Sequence, residues 1–347
     1  MVLSAVIRLR VFQICQRARS GHIGGSSGAV ELFMTLYFGG VLRYSPRWPT
    51  HSLRDRVLVR GHLGPVRYPL FQLLGWVDEE ELWTYRQYGS RLHGHEDHTK
   101  LPGVDLTPSG SLGMLLSYGA GVAFAAKQRG EEYQTYVFLG DGEEEEGNVS
   151  EAARHAAHLR LENLTVIIDC NGKQLSDPLT ETDSASLAEI WYGYGWEVVE
   201  LAEGHDPTKI LDAYQKAREM RECTKKPIVI IAHTVKGYGL DGTEEHFSGY
   251  HTISTCPPTI VQKGIERLER WLEERKEFLQ ALKERVRHTQ DLSTNIALET
   301  FMSIGLTFAP KEKTPNHPDF CQEDYFAQLR EAHGTSEWPA GRTYFLT

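Results

Sequence analysis

Compact apolar runs alternate with stretches of helical spacing along most of the chain. Residues 55–60 (DRVLVR), 136–139, 164–168, 196–201 and 227–232 are rich in Val, Ile and Leu, and several close on glycine or a polar residue. Runs of this length predict buried strands. Between them, residues 29–39 and 115–127 carry small and apolar side chains at helical spacing, and 207–220 begins on a proline. Asn148 with Glu151 predicts a helix starting near Val149, and Asp78 with Glu81 has the spacing of a capping box for a helix over 78–88. This alternation predicts an α/β fold: a doubly wound, mostly parallel sheet with helices on both faces.

The character changes after about residue 257. Ile265, Leu268, Leu272, Leu279, Leu282 and Val286 recur among dense charge, which predicts one amphipathic helix over 260–287. The chain therefore divides into an α/β domain, 1–257, and a C-terminal helical extension, 258–347, a candidate partner interface. Residues 291–347 show weak periodicity and carry no assignable chemistry. Residues 1–19 hold Arg8, Arg10, Arg17 and Arg19 among apolar residues. They read as an amphipathic helix, lacking the longer apolar core and cleavage site of a secretory signal.

The chemistry gathers where the strands stop. Ligands of parallel α/β sheets bind beyond the carboxyl ends of the strands. Gly140–Asp141–Gly142 follows one run, and Cys170–Asn171–Gly172 another. Asp141 and Asn171 suit a shared hard divalent cation, and a helix N-terminus suits an anion, so the pair reads as a magnesium–diphosphate site. Four glutamates, Glu143–Glu146, follow at once; they cannot all be buried cheaply, so one or two are expected to face inward. Other glycine-punctuated loops carry His22, His62 and His95, and Thr107–Gly113 forms a further Gly/Ser loop. His93, His95 and His98 invite a zinc reading, but no distant second ligand pair accompanies them. One loop histidine is weak evidence. Together they describe a pocket of imidazoles, suited to a substrate rich in hydroxyls.

Composition narrows the classes. The 347 residues are 40% hydrophobic and 24% charged, with a formal charge of -10, which argues against a protein that coats nucleic acid. No apolar run approaches the roughly 20 residues of a membrane span. The five cysteines lack metal-type spacing, which fits reduced thiols in a cytoplasmic protein. Cys170, beside Asn171, reads as a small residue at a strand end rather than a nucleophile.

Gly140–Asp141–Gly142, 28 intervening residues and Asn171 resemble the thiamine-diphosphate fingerprint. The stretches SGHIGGSSGAVEL, DRVLVRGH, GSRLHGHED, GSLG, LGDGEEEEGNVSEAARHAAHLRLENLTVIIDCNG and AHTVKGYG extend the likeness from Gly21 to His251. The chain resembles the transketolase family, and within it the separate N-terminal subunits of split enzymes.

The resemblance implies a thiamine-diphosphate-binding fold, in its diphosphate-binding domain. It makes Asp141 and Asn171 magnesium ligands, with the backbone carbonyl of Lys173 as a third. Gly142 would approach the diphosphate and His62 would border it. Gly110, Ser111 and Leu112 would lie by the cofactor rings. His22, His95 and a histidine of the 246–251 region would surround the reacting carbon and sugar hydroxyls; His246 enters the candidate catalytic set, with His251 its alternative. Glu146 would join a carboxylate network across a subunit interface, leaving Glu143–Glu145 as surface charges. The implied reaction moves a two-carbon ketol unit from a ketose to an aldose, with the cofactor as electron sink.

The family also needs a pyrimidine-binding domain bearing an activating glutamate. About 90 residues follow the resemblance, too few for such a domain. A partner subunit is therefore expected to supply it, in an α2β2 assembly acting on small sugars or sugar phosphates. Two departures bear on substrate: Met114–Leu115 replaces Gln-Gly after GSLG, and Glu245–His251 replaces Trp-His-Gly. A deoxyxylulose-phosphate synthase-like or 2-oxo-acid-decarboxylating component, and a non-catalytic scaffold paralogue, are the alternative readings. The histidines favour ketol transfer over the first, and Asp141 with Asn171 argues against the last.

Overall fold

The computed structural model describes residues 1–281 apart from 45, 47, 48, 106–109, 176 and 184. Three helices come first, α1 (Val2–Ala18), α2 (Ile23–Gly28) and α3 (Val30–Phe38), followed by β1 (Arg56–Val59). A 3-10 turn (Gly61–Leu63) leads into α4 (Gly64–Leu73), α5 (Glu79–Leu82) and α6 (Leu115–Arg129). Then come β2 (Thr135–Gly140), α7 (Asp141–Glu144), α8 (Gly147–His158) and β3 (Leu164–Cys170). The rest is α9 (Leu179–Thr182), α10 (Leu187–Gly193), β4 (Glu197–Leu201), α11 (Pro207–Thr224), β5 (Ile228–His233) and α12 (Pro258–Glu273).

All five expected strands form, in the order β1-β2-β3-β5-β4 and wholly parallel. Alternate residues feed two cores. Tyr136, Phe138, Ile167 and Ile230 join the core that α1, α3, α4 and α11 help to build, where Phe33 stacks on Phe138 at 4.2 Å. Val137, Leu139, Val166, Ile168 and Ile231 face α6, α8 and α10, where Trp191 meets Trp196 edge-on at 4.8 Å. Helices thus cover both faces, which is why every residue of β2 is buried and its sequence is nearly all apolar.

Local signals misplaced several boundaries. Residues 23–28 form a helical turn rather than an open loop; Gly24 fits there because a Cβ would lie 2.5 Å from the Gly249 carbonyl oxygen. The capping-box helix shrinks to Glu79–Leu82, and the Asp78 side chain makes no capping bond. The helix expected near Val149 starts at Gly147, with Glu146 at the cap. The long C-terminal helix is interrupted: α12 gives way to a turn at 274–275 before helix resumes at 276. Val261, Ile265 and Leu272 of α12 join the first core and the helix lies on α1. Leu282, Val286 and the tail expectations fall outside the described residues. Among those described, no helix is long and apolar enough to cross a membrane.

Close packing between α6 and β2 depends on Gly119, whose added Cβ would lie 2.3 Å from Val137 Cγ2. A Gly119→Val substitution overpacks that seam and should destabilise the chain by about 1–3 kcal/mol. Urea unfolding checks this: the midpoint drops while the slope stays constant.

Candidate cofactor-binding active site

The carboxyl ends of β1, β2 and β3 are tied by one buried ion pair. Arg60, just past β1, reaches over Gly140 to Asp169 Oδ2, at 2.5 Å. Gly140 must lack a side chain, since a Cβ there would lie 1.6 Å from Arg60 Nη1. Asp169 also accepts from Thr234 Oγ1 and from Asn171 Nδ2, which turns the amide of Asn171.

Asp141 is buried beside this pair. Its Oδ1 accepts from the Gly142 amide at 2.9 Å and its Oδ2 from the Gly172 amide at 2.6 Å. Burial, then the charge of Asp169, raises its pKa; Arg60 and the two amides oppose the rise. Asn171 Oδ1 accepts from the Lys173 amide at 3.3 Å. The Lys173 carbonyl accepts from Lys236 Nζ at 2.7 Å, which also bonds the Gln174 carbonyl at 3.0 Å. Burial lowers the Lys236 ammonium to about 8, against the attraction of Asp141. An ammonium thus already sits on one of the expected metal-binding carbonyls.

This arrangement suits the groups expected from the sequence. Asp141, Asn171 and the Lys173 carbonyl form an all-oxygen donor set around one turn, the chemistry of a hard divalent cation. The turn at Gly172 has φ +71° and a Cβ there would meet nothing within 4 Å. Gly142 would press only on the flexible Gln174 side chain. Backbone and space are therefore open to an anion, beside the cations Arg60 and Lys236.

Four imidazoles gather nearby from four separate segments. His22 caps α2, His62 lies in the 3-10 turn after β1, and His95 and His251 come from loops. The His22 ring lies 4.6 Å from His62, 5.6 Å from His95 and 5.3 Å from His251. Burial, reinforced by neighbouring positive charge, lowers His22 to about 3, His62 to about 2 and His251 to about 4. These rings are neutral near pH 7, each with one donor and one acceptor nitrogen. The buried Nδ1 atoms of His22 and His251 have no hydrogen-bond partner among the described residues.

His246 does not join them. It stacks on Phe247 and Tyr250 at 4.5 Å, and its Nδ1 faces Ser248 Oγ at 3.2 Å. His251 takes the place left open in the sequence, because left-handed Gly249 and Tyr250 turn the chain back and Ile253 bonds the Gly21 carbonyl.

The carboxylate run also needs correction. Glu143 and Glu144 are buried, whereas Glu145 and Glu146 are exposed on this chain. Glu143 Oε1 accepts from the Gly113 amide at 3.2 Å, tying α7 to the Gly110–Leu112 loop, itself exposed. Burial, then Asp183, raises Glu144 to about 7. Leu115 does not disturb its helix; it starts α6 with its side chain in the core. Burial, then Asp141, raises the Cys170 thiol to about 12, leaving it unreactive near neutral pH. Sequence reasoning missed Arg60, Asp169 and Lys236. The available signal was a charged residue at the end of an apolar run.

A doubly wound sheet with an oxygen-lined cradle past its strand ends defines a diphosphate-binding α/β protein. Residues 2–253 match the family described as "Transketolase, thiamine diphosphate binding domain", and the chain belongs to it. It is 34% identical over 267 residues to one subunit of the apulose-4-phosphate transketolase of Phocaeicola vulgatus, covering 76% of this chain and 92% of that one. A 6-deoxy-6-sulfo-D-fructose transketolase subunit of Clostridium sp. is 32% identical over 248 residues, covering 71% and 88%. A solved Pichia stipitis transketolase mutant aligns with TM-score 0.63 at 25% identity, covering 83% of this chain and 48% of its own. Transketolase from Leishmania mexicana shares the fold, with TM-score 0.64 at 24% identity over 85% and 48%. The chain spans about half the length of these solved structures.

The histidine pocket carries a pH signature. A histidine whose folded pKa is depressed stays neutral while the unfolded chain takes up a proton below about 6.5, so its share of stability rises with pH. Thermal melts from pH 5 to 7.5 should show a smaller acid-side loss in His62→Asn than in the parent chain.

Proposed function

We propose that this chain is the thiamine-diphosphate-binding subunit of a two-component transketolase and holds Mg2+ at Asp141, Asn171 and the Lys173 carbonyl. The observation that carries the reading is the neutral imidazole cluster set beside an all-oxygen cation cradle. Bound thiamine diphosphate supplies the carbon nucleophile and electron sink for moving a two-carbon ketol unit from ketose to aldose. The chain's own residues do the rest of its share. Asp141 and Asn171 fix the cation, and Arg60 with Lys236 keeps the diphosphate end electropositive. His62 borders that end. His22, His95 and His251 hold sugar hydroxyls by hydrogen bonds at their ring nitrogens.

Residues 110–112 and Glu146 are exposed and adjacent on this chain, which supports their use as a contact for a second subunit. Both relatives described above are named as transketolase subunits, which supports a partner subunit for this chain; in this reading the partner carries the activating glutamate and the assembly is α2β2. Those relatives' names contain a phosphate and a sulfo group, which supports small anionic sugars as substrates. Among the described residues the cysteines are unpaired, which fits a cytoplasmic setting.

Calorimetry tests the cofactor half. Thiamine diphosphate should bind in the presence of Mg2+, and Asp141→Ala should weaken binding at least about 10-fold, the loss of one charged contact. Ketol transfer from a ketose to an aldose should appear only when the partner subunit is added. Robust transfer by the chain alone would overturn the two-component reading.

A further inference from the structure

Helix α4 contributes Arg67 to a charge pair with Glu96 that the proposed chemistry does not use. The side chains of Arg67 and Glu96 have no exposed surface, and Arg67 Nε lies 3.2 Å from Glu96 Oε2. The rings of Phe33, Tyr37 and Phe71 enclose the guanidinium at 4.7–5.8 Å, and Nη1 donates to the Tyr37 hydroxyl at 2.9 Å. The contact is close but poorly directed. Arg67 Nε and Nη2 and both Glu96 oxygens lack a well-aligned hydrogen bond.

A buried ion pair of this kind is a poor stabiliser, because desolvation offsets the attraction unless hydrogen bonds satisfy the remaining atoms. Apolar residues of similar volume commonly do as well or better. Stability therefore does not account for it, but placement does. Glu96 follows His95 directly in sequence. The same helix seats the rest of that loop: Tyr68 donates to the His93 carbonyl at 2.6 Å, and Gly64 packs against the Gly94 carbonyl. Helix α4 also begins where the turn holding His62 ends. One helix thus holds His62 at its start and the His95 loop along its side.

We propose that the Arg67–Glu96 pair is a positioning device that sets the His95 imidazole against His22 and His62. The role given to His95 rests on the ketol-transfer reading, but its placement is measurable without cofactor or partner. The 3.2 Å attraction to a guanidinium held in an aromatic box restrains where the Glu96 backbone lies, and hence where His95 starts. An apolar pair fills the same space without fixing that register.

The test compares the full-length parent with the Arg67→Met/Glu96→Leu double variant and with Glu96→Gln, which keeps the side chain's size. Histidine-labelled protein is examined by NMR, with the His95 ring resonances assigned by loss in His95→Asn. The double variant should melt at or above the parent temperature, yet its His95 resonances should shift or broaden while those of His205 stay in place. Glu96→Gln should move the same signals and serves if the double variant does not fold. With the partner subunit, kcat for ketol transfer should fall about 10-fold, a misplacement effect, while Mg2+–thiamine diphosphate binding is retained. Unchanged His95 resonances in a folded variant overturn the proposal. Failure to bind the cofactor both alone and with the partner subunit would sink the proposed cofactor-binding role instead, and would leave the NMR result standing.

Discussion

Arg60 crosses the end of one strand to reach a carboxylate on the next, and the functional face of the sheet is built on that contact. The pair is buried, so each charge requires the other; removing either leaves the survivor in a medium that solvates it poorly. Its geometry dictates glycine at 140, since any Cβ would collide with the guanidinium. Asp169 then spends its remaining acceptor capacity on Thr234, past β5, and on Asn171. Three chain segments, past β1, β3 and β5, are thereby locked around one carboxylate, with Asp141 set beside it.

Two kinds of environment follow from this frame. At the strand ends, amides and the cations Arg60 and Lys236 surround carboxylate and carbonyl oxygens, an environment suited to an anion. Beside them, burial reinforced by Arg60 lowers the proton affinity of His22, His62 and His251. Neutral rings can give and accept a hydrogen bond at once, a property useful against polyhydroxylated substrates. The same cation that braces the sheet therefore helps keep the histidines uncharged.

Much of this was legible along the chain. Five apolar runs marked the five strands, and Asp141, Asn171, His22, His62 and His95 stood out as polar residues at glycine-rich strand or helix ends. The carboxylate run was only half readable. Its density implied that few members go inside, but which ones depends on how α7 turns after Gly140 and on the amide of Gly113. The choice between His246 and His251 was undecidable from spacing, because left-handed residues reverse the chain between them. The C-terminal helix read as continuous because its apolar spacing runs through the turn at 274–275.

By itself the sequence determined the strands, most of the helices, and the supply of oxygen-bearing and imidazole side chains at their ends. Each of these is encoded within a few neighbouring residues, through periodicity, turn chemistry and side-chain type. Only the tertiary structure decided which of them meet. Arg60 finds Asp169 across 109 positions, and His22 meets His251. Those encounters depend on strand order and on the burial of unlike charges together, which are properties of the packed whole rather than of any local stretch.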